Sequence, residues 1–162
     1  MATEIERKFL LRNEDWRRHV RDHRDYVQGY LQLEQRSSIR VRSDGEHAWL
    51  NIKGATLGAS RAEFEYEIPL TDGETMLQTL CVQPLIRKRR HHVPCGRHMF
   101  EIDEFHGANA GLIVAEIELN DPDEPFERPD WLGREVTEQP RYYNSRLVLH
   151  PYTQWSTQER EA

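Results

Sequence analysis

The feature that most restricts this chain is a two-residue alternation of charge and hydrophobe that keeps returning along it. Glu4-Ile5-Glu6-Arg7-Lys8 runs into Phe9, Leu10 and Leu11. Successive side chains of a strand point to opposite faces, so Glu4, Glu6 and Lys8 share one side while Ile5, Phe9 and Leu11 cover the other. The spacing returns at Arg40 and Arg42, Glu63 and Glu65, Lys88 and Arg90, Glu101 and Asp103, and Glu116 and Glu118, mostly with apolar residues between. One polar face is therefore assembled from many strands.

Alternation and β-branched or aromatic content predict eight strands, at 3–11, 26–34, 37–43, 47–53, 61–69, 85–93, 98–105 and 112–119. Asn13-Glu14-Asp15-Trp16 reads as a capped helix start, with Trp16 and Val20 as its packing stripe. A second helix is expected from Thr71 or Asp72 to Leu80, with Met76, Leu77 and Leu80 facing inward. Three prolines and four acids between Asp121 and Pro129 predict an extended loop. Beyond it, Trp131–Val136 is read as a short helix. Arg141–His150 is read as a longer one, with Tyr143 and Leu147 on one side. Residues 156–162 are polar and expected to fray.

Many strands joined by short connections predict an antiparallel sheet, because parallel strands need long crossovers. The opposite face carries Ile5, Phe9, Ile39, Val41, Leu50, Ile52, Phe64, Ile68, Phe100, Ile102, Ile117 and Leu119. A closed, mainly β barrel of α+β class, with a charged lumen and helices packed outside, accommodates both faces and removes exposed edges. At 162 residues the chain suits one domain, placed at 1–155, followed by the tail 156–162.

The net charge of −6 argues against a general affinity for nucleic acid. No apolar run is long enough to cross a bilayer and no signal-like opening is present, so a cytoplasmic location and no membrane partner are expected. Cys81 and Cys95 lack metal or redox spacing, and no disulfide is predicted. Charged residues make up 31% against 37% hydrophobic, which places some charge inside the fold.

Sorted by sign, the polar face holds Lys8, Arg40, Arg42, Lys53, Lys88 and Arg90 against Glu4, Glu6, Glu63, Glu65, Glu101, Asp103, Glu116 and Glu118. Neither set can be buried alone, because an isolated charge is costly to desolvate. Guanidinium forks and ammonium groups suit a chain of phosphates. Clustered carboxylates suit a hard divalent cation such as Mg²⁺ or Mn²⁺. Together they describe a site for a metal-bound polyphosphate. For any single pair, an ordinary solvated sheet face is the simpler explanation. Solubility alone, however, does not require cations on some strands and acids on others.

These motifs resemble the CYTH superfamily of triphosphate tunnel metalloenzymes, whose signature is the Glu-x-Glu-x-Lys run seen at Glu4 to Lys8. Ser38–Arg42, Leu50–Gly54, Arg61–Tyr66, Ile86–Arg90, Phe100–Phe105 and Ala115–Leu119 are similar to the family's strand motifs, in the family's order. Arg141–Ser145 is similar to the C-terminal helix segment of short bacterial members. The resemblance implies an eight-stranded antiparallel tunnel that binds a linear triphosphate. It further implies phosphate contacts from Lys8, Arg40, Arg42, Lys53 and Arg90, with Lys88 beside them. Metal ligation falls to Glu4, Glu6 and Glu118, with Glu116 next. Glu63, Glu65, Glu101 and Asp103 are supporting acids, reaching the metal through water or orienting the basic residues.

The activity so implied is metal-dependent hydrolysis of inorganic tripolyphosphate to pyrophosphate and phosphate. A class IV type adenylate cyclase and a thiamine triphosphatase share the lumen, and a non-catalytic polyphosphate or nucleotide sensor is the remaining alternative. A lysine among clustered charges can have a perturbed pKa. Lys88, then Lys53, is therefore the candidate to orient or deprotonate water, with a metal-bound Glu as rival. The family also gives precedent for a homodimer. Tyr30 falls on the lumen face as a substrate contact or a packing group. Arg87 and Arg89 have the opposite parity to Lys88 and Arg90, leaving open which pair faces inward. His91, His92, His98 and His106 lack ligand spacing, and Arg17-Arg18-His19-Val20-Arg21 reads as a solvated face among acids.

Overall fold

The computed structural model describes residues 2–33, 36–54 and 60–162. Its strands are β1 (Ala2–Leu11), β2 (Asp22–Leu33), β3 (Ser37–Ser43), β4 (Ala48–Gly54), β5 (Ser60–Ile68), β6 (Ile86–Cys95), β7 (His98–His106), β8 (Ile113–Glu118) and β9 (Leu132–Glu135). The helices are α1 (Leu70–Thr79), α2 (Asn144–Leu149) and α3 (Thr157–Glu161), with short 3-10 turns between elements. The expected end of the second strand, residue 34, lies outside the described residues. Among these residues no helix is long and apolar enough to cross a membrane.

The strands pair in the order β5-β4-β3-β2-β6-β7-β8-β1, and β1 also pairs with β5 to complete an eight-strand antiparallel ring. β1 divides its bonding to do this. Ala2–Ile5 face β5, Glu6–Leu10 face β8, and Phe9 and Leu11 also pair with β9. The pairing of β1 with β9 is irregular, with a register shift between Phe9 and Leu11.

Apolar cover on the outside is uneven. Trp16, Trp131 and Phe126 pack with Phe9, Phe100, Ile102 and Ile117 over β1, β7 and β8. α1 covers part of β3 and β4, where Leu77 joins Val41. Gly73 makes this approach possible, since a Cβ there would lie 2.5 Å from Ala48 Cβ. Ile39, Leu50, Ile52 and Phe64 are only half-buried, because the helices are few and small.

A third apolar cluster fills one end of the ring. Tyr30, Ile86, Phe105, Val114 and the half-buried Leu10 share the parity of the charged inward residues. They meet Tyr142, Leu147, Val148 and Trp155 from the C-terminal segment. The inward stripes thus change from charged to apolar along their length, and the C-terminal segment plugs the apolar end.

Several local expectations are corrected. Trp131–Val136 is not helical, because Leu132–Glu135 pairs with β1 as β9. Gly133 permits this, since a Cβ there would sit 2.7 Å from Leu10 O. Arg141–His150 is not one helix. Tyr143 is extended (φ −71, ψ 137), separating a 3-10 turn at Pro140–Tyr142 from α2. Tyr142, rather than Tyr143, therefore joins Leu147 in the core. Leu80 is 63% exposed rather than inward-facing. The first helix is a 3-10 turn, Asp15–His19, that buries Trp16. The tail forms α3, held by a Ser156–Glu159 capping box.

Candidate active site

The ring surrounds a cavity of about 590 Å³, and its charges are sorted by wall. Four consecutive strands, β4, β3, β2 and β6, turn Lys53, Arg40, Arg42, Lys88 and Arg90 toward it, and no acid from these strands borders it. The other four, β7, β8, β1 and β5, contribute Glu101, Glu116, Glu118, Glu4, Glu6, Glu63 and Glu65, with Lys8 and Arg61 as their cations. Lys8, Lys53 and Lys88 are the only lysines in the sequence, and all of them border the cavity.

On the acidic wall, Glu6 stands directly across from Glu118, and Glu101 from Glu116. Like charges so placed repel. Burial and then Glu116 push the Glu6 carboxyl up to about 7. Burial and then Glu101 also raise Glu118. Glu116 behaves differently. Burial opposes its ionisation, but Lys8 at 2.9 Å and Arg90 at 3.4 Å hold it well below the usual carboxylate range. Glu4 is gripped by Lys53 Nζ, 3.0 Å from Oε1 and 2.9 Å from Oε2. Burial and like-charge neighbours therefore disfavour ionisation most at Glu6 and Glu118, and Lys8 at 3.7 Å and Arg61 at 3.8 Å offset only part of this at Glu6.

The basic wall has the converse shortage. Among the described residues Arg42 reaches one carboxylate, Glu65, at 3.6 Å, and it stacks over Tyr26 with its Cζ 4.5 Å from the ring centre. Burial, Arg40 and Arg90 lower its pKa. Among the described residues, the Nε atoms of Arg40 and Arg42 are buried without a hydrogen-bond partner. Burial and Arg40 likewise lower Lys53. A multiply charged anion would relieve all of these groups.

Lys88 occupies the deepest position, with Nζ 2.7 Å from Asp103 Oδ2 and 3.3 Å from Asn144 Oδ1. Burial pushes it down to about 7, with Asp103 opposing and Arg90 adding to the shift. Asp103 also accepts from Arg90 Nε at 2.8 Å and Nη2 at 2.9 Å. These cations keep it ionised despite burial. Asp103 stands behind the basic wall as its anchor and is absent from the cavity lining.

The question of β6 parity resolves: Lys88 and Arg90 face the cavity, while Arg87 is exposed and Arg89 pairs with Asp25 at 2.9 Å. Tyr30 lines the cavity and packs in the plug. Glu63 and Glu65 accept from Asn51 Nδ2, at 3.3 and 2.5 Å. His91, His92 and His98 turn to different carboxylates, Glu104, Asp22 and Glu124. The sequence reading missed Arg61, which lies 3.8 Å from both Glu4 and Glu6. Its parity with Glu63 and Glu65 was the available signal. Tyr143, Asn144 and Ser145 also border the cavity, and no strand periodicity could have placed them.

The CYTH domain family model matches residues 2–149. The chain belongs to the CYTH family. An inorganic triphosphatase of Acetivibrio thermocellus is 43% identical to this CYTH chain over 152 residues, covering 94% of it and 97% of the relative. An inorganic triphosphatase of Nitrosomonas europaea is 37% identical, covering 91% and 97% respectively. The fold is similar to a crystal structure of an inorganic triphosphatase with a TM-score of 0.64 and 30% identity, covering 92% of this chain and 96% of that one. The CYTH match spans every ring strand and reaches the plug segment that carries Asn144.

Proposed function

We propose that this CYTH chain is a divalent-metal-dependent triphosphatase that hydrolyses inorganic tripolyphosphate to pyrophosphate and orthophosphate inside its ring. Triphosphatase activity follows from the relatives that match it almost end to end. The observation that carries the substrate assignment is the acid-free wall of Lys53, Arg40, Arg42, Lys88 and Arg90. A linear polyanion can lie along such a wall and pair with several of its cations together. In this reading residues 1–155 act as one unit, since the lumen draws on β1 through Ser145.

The acidic wall fits a hard dication in its chemistry. Its donors are carboxylate oxygens, and burial with neighbouring acids raises Glu6 and Glu118, Lys8 at 3.7 Å and Arg61 at 3.8 Å offsetting only part of this at Glu6. Among the described residues no group of ligands is already gathered at one point. Glu4, Glu6 and Glu118, with Glu116 beside them, are the residues that would hold Mg²⁺ or Mn²⁺. When bound, such an ion neutralises charge on the transferring phosphoryl group.

The chain's own residues account for the rest. Arg40, Arg42, Lys8, Lys53 and Arg90 bind and align the phosphates and neutralise their oxygens. Lys88, with its pKa lowered toward neutrality, orients a water or takes its proton as it attacks the terminal phosphorus. Asp103 keeps Lys88 and Arg90 in place, while Glu63, Glu65 and Glu101 steady neighbouring groups.

The test is to incubate purified protein with Mg²⁺ or Mn²⁺ and, separately, tripolyphosphate, ATP and thiamine triphosphate. Orthophosphate and pyrophosphate in equal amounts from tripolyphosphate support the proposal. Cyclic AMP from ATP, or tight binding without turnover, would refute it.

A further inference from the structure

Asn144 enters the lumen from the plug rather than from a ring strand. It opens α2 and borders the cavity, while Tyr142, Leu147 and Val148 around it are buried in the plug. Its Oδ1 accepts from Gln28 Nε2 at 2.8 Å and from Lys88 Nζ at 3.3 Å. Lys88 Nζ also donates to Asp103 Oδ2 at 2.7 Å. An ammonium has three N–H donors. Two acceptors on separate elements therefore fix its direction and leave the third donor for the cavity.

The amide orientations are mutually dependent. Turning Asn144 over would present its NH₂ to both Lys88 and Gln28, setting donor against donor. Turning both amides would restore the Gln28 contact but still oppose the Lys88 ammonium. The observed arrangement leaves Gln28 Oε1 buried and, among the described residues, unpartnered, on a side chain that is 0% exposed. Buried amides ordinarily satisfy both ends. Here that satisfaction is given up while an acceptor remains aimed at Lys88.

The geometry points to Asn144 as a positioning residue that, backed by Gln28, aims Lys88 Nζ into the cavity where substrate would lie. The plug thereby takes part in the reaction centre besides sealing the ring. This inference rests on the reading of Lys88 as the group that handles water in the proposed triphosphatase.

The test compares Asn144→Ala, Asn144→Asp and Gln28→Leu in steady-state hydrolysis of tripolyphosphate with Mg²⁺. Asn144→Ala is expected to lower kcat about tenfold and leave KM within about twofold, since the missing contact acts through Lys88 rather than through substrate binding. Asn144→Asp keeps an acceptor oxygen and recovers most of the loss, and Gln28→Leu falls between. Parallel changes in kcat and KM, or an Asp variant no better than the Ala variant, would overturn the inference.

A second readout does not depend on turnover. Lys8, Lys53 and Lys88 are the only lysines, so ¹⁵N-lysine-labelled protein reports side-chain Nζ signals from the cavity alone. The Lys88 signal should move in Asn144→Ala and Gln28→Leu while Lys8 and Lys53 hold. An unmoved Lys88 signal refutes the inference. An inactive wild-type protein in which Lys88 still responds would sink the triphosphatase reading and leave the positioning contact standing. If Asn144→Ala does not fold, Gln28→Leu supplies both readouts.

Discussion

Lys88 Nζ and Asp103 Oδ2 stand 2.7 Å apart with both side chains 1% exposed. Asp103 also pairs with Arg90, whose Nε lies 2.8 Å away, so one carboxylate compensates two cations. Replacing it with alanine leaves the buried Lys88 without its carboxylate partner, while Arg90 keeps Glu101 at 3.0 Å and Glu116 at 3.4 Å. Asp103→Ala is expected to destabilise the fold by about 3–5 kcal/mol, read from urea unfolding. Asp15→Ala, which breaks an exposed pair with Arg18, should change stability little.

Lys88 is pushed down to about 7. A lysine acting as base must be neutral, so kcat should rise with pH through that region. Lys88→Ala should lower kcat by about 10²-fold with a much smaller effect on KM. Lys88→Arg, which keeps the charge but stays protonated, should lose as much. Equal losses in kcat and affinity would instead mark Lys88 as a phosphate-binding group.

Glu6 is raised to about 7 from 4.5, so between these pH values the native state holds a proton that the unfolded chain has released. Its contribution to stability is full below the unfolded pKa and falls as pH rises toward 7. A dication favours the carboxylate and expels this proton. Calorimetry of Mg²⁺ binding near pH 6 should therefore give an enthalpy that depends on the buffer's ionisation heat. Glu6→Gln should remove most of that dependence, and stripping the metal with chelator should return the proton.

Gly133 lets β9 lie against β1 where a Cβ would stand 2.7 Å from Leu10 O. The obstructing atom is backbone and cannot rotate aside. Gly133→Ala is expected to destabilise by about 1–3 kcal/mol and to speed hydrogen exchange at Val136, whose amide donates to Lys8 O at 2.8 Å. Unchanged exchange there would refute this account of β9.

The ring was legible because the two-residue period is strong in most of its strands and names the inward face there, although in β6 the run Arg87 to Arg90 is charged at both parities. Lys8, Arg40, Lys53 and Glu116 could be put in one lumen before any coordinates. β9 was not legible: four residues carry too little pattern, and their strand character comes from the β1 backbone beside them. Arg61 shared the parity of Glu63 and could have been included. The plug escaped because Leu10, Ile86, Phe105 and Val114 sit on the parity that elsewhere bears charge. Asn144 depends on where the extended Tyr143 delivers the chain, and only tertiary contacts decide that.

The split pairing of β1 gives this chain a mechanical property. The bonds that fasten Ala2–Ile5 to β5 are the clasp of the hoop, and Glu4, opposite Arg61, is part of that clasp. Circumference and charge are therefore geared together. Any load that eases β1 away from β5 widens the bore and withdraws Glu4 from Lys53 in the same movement.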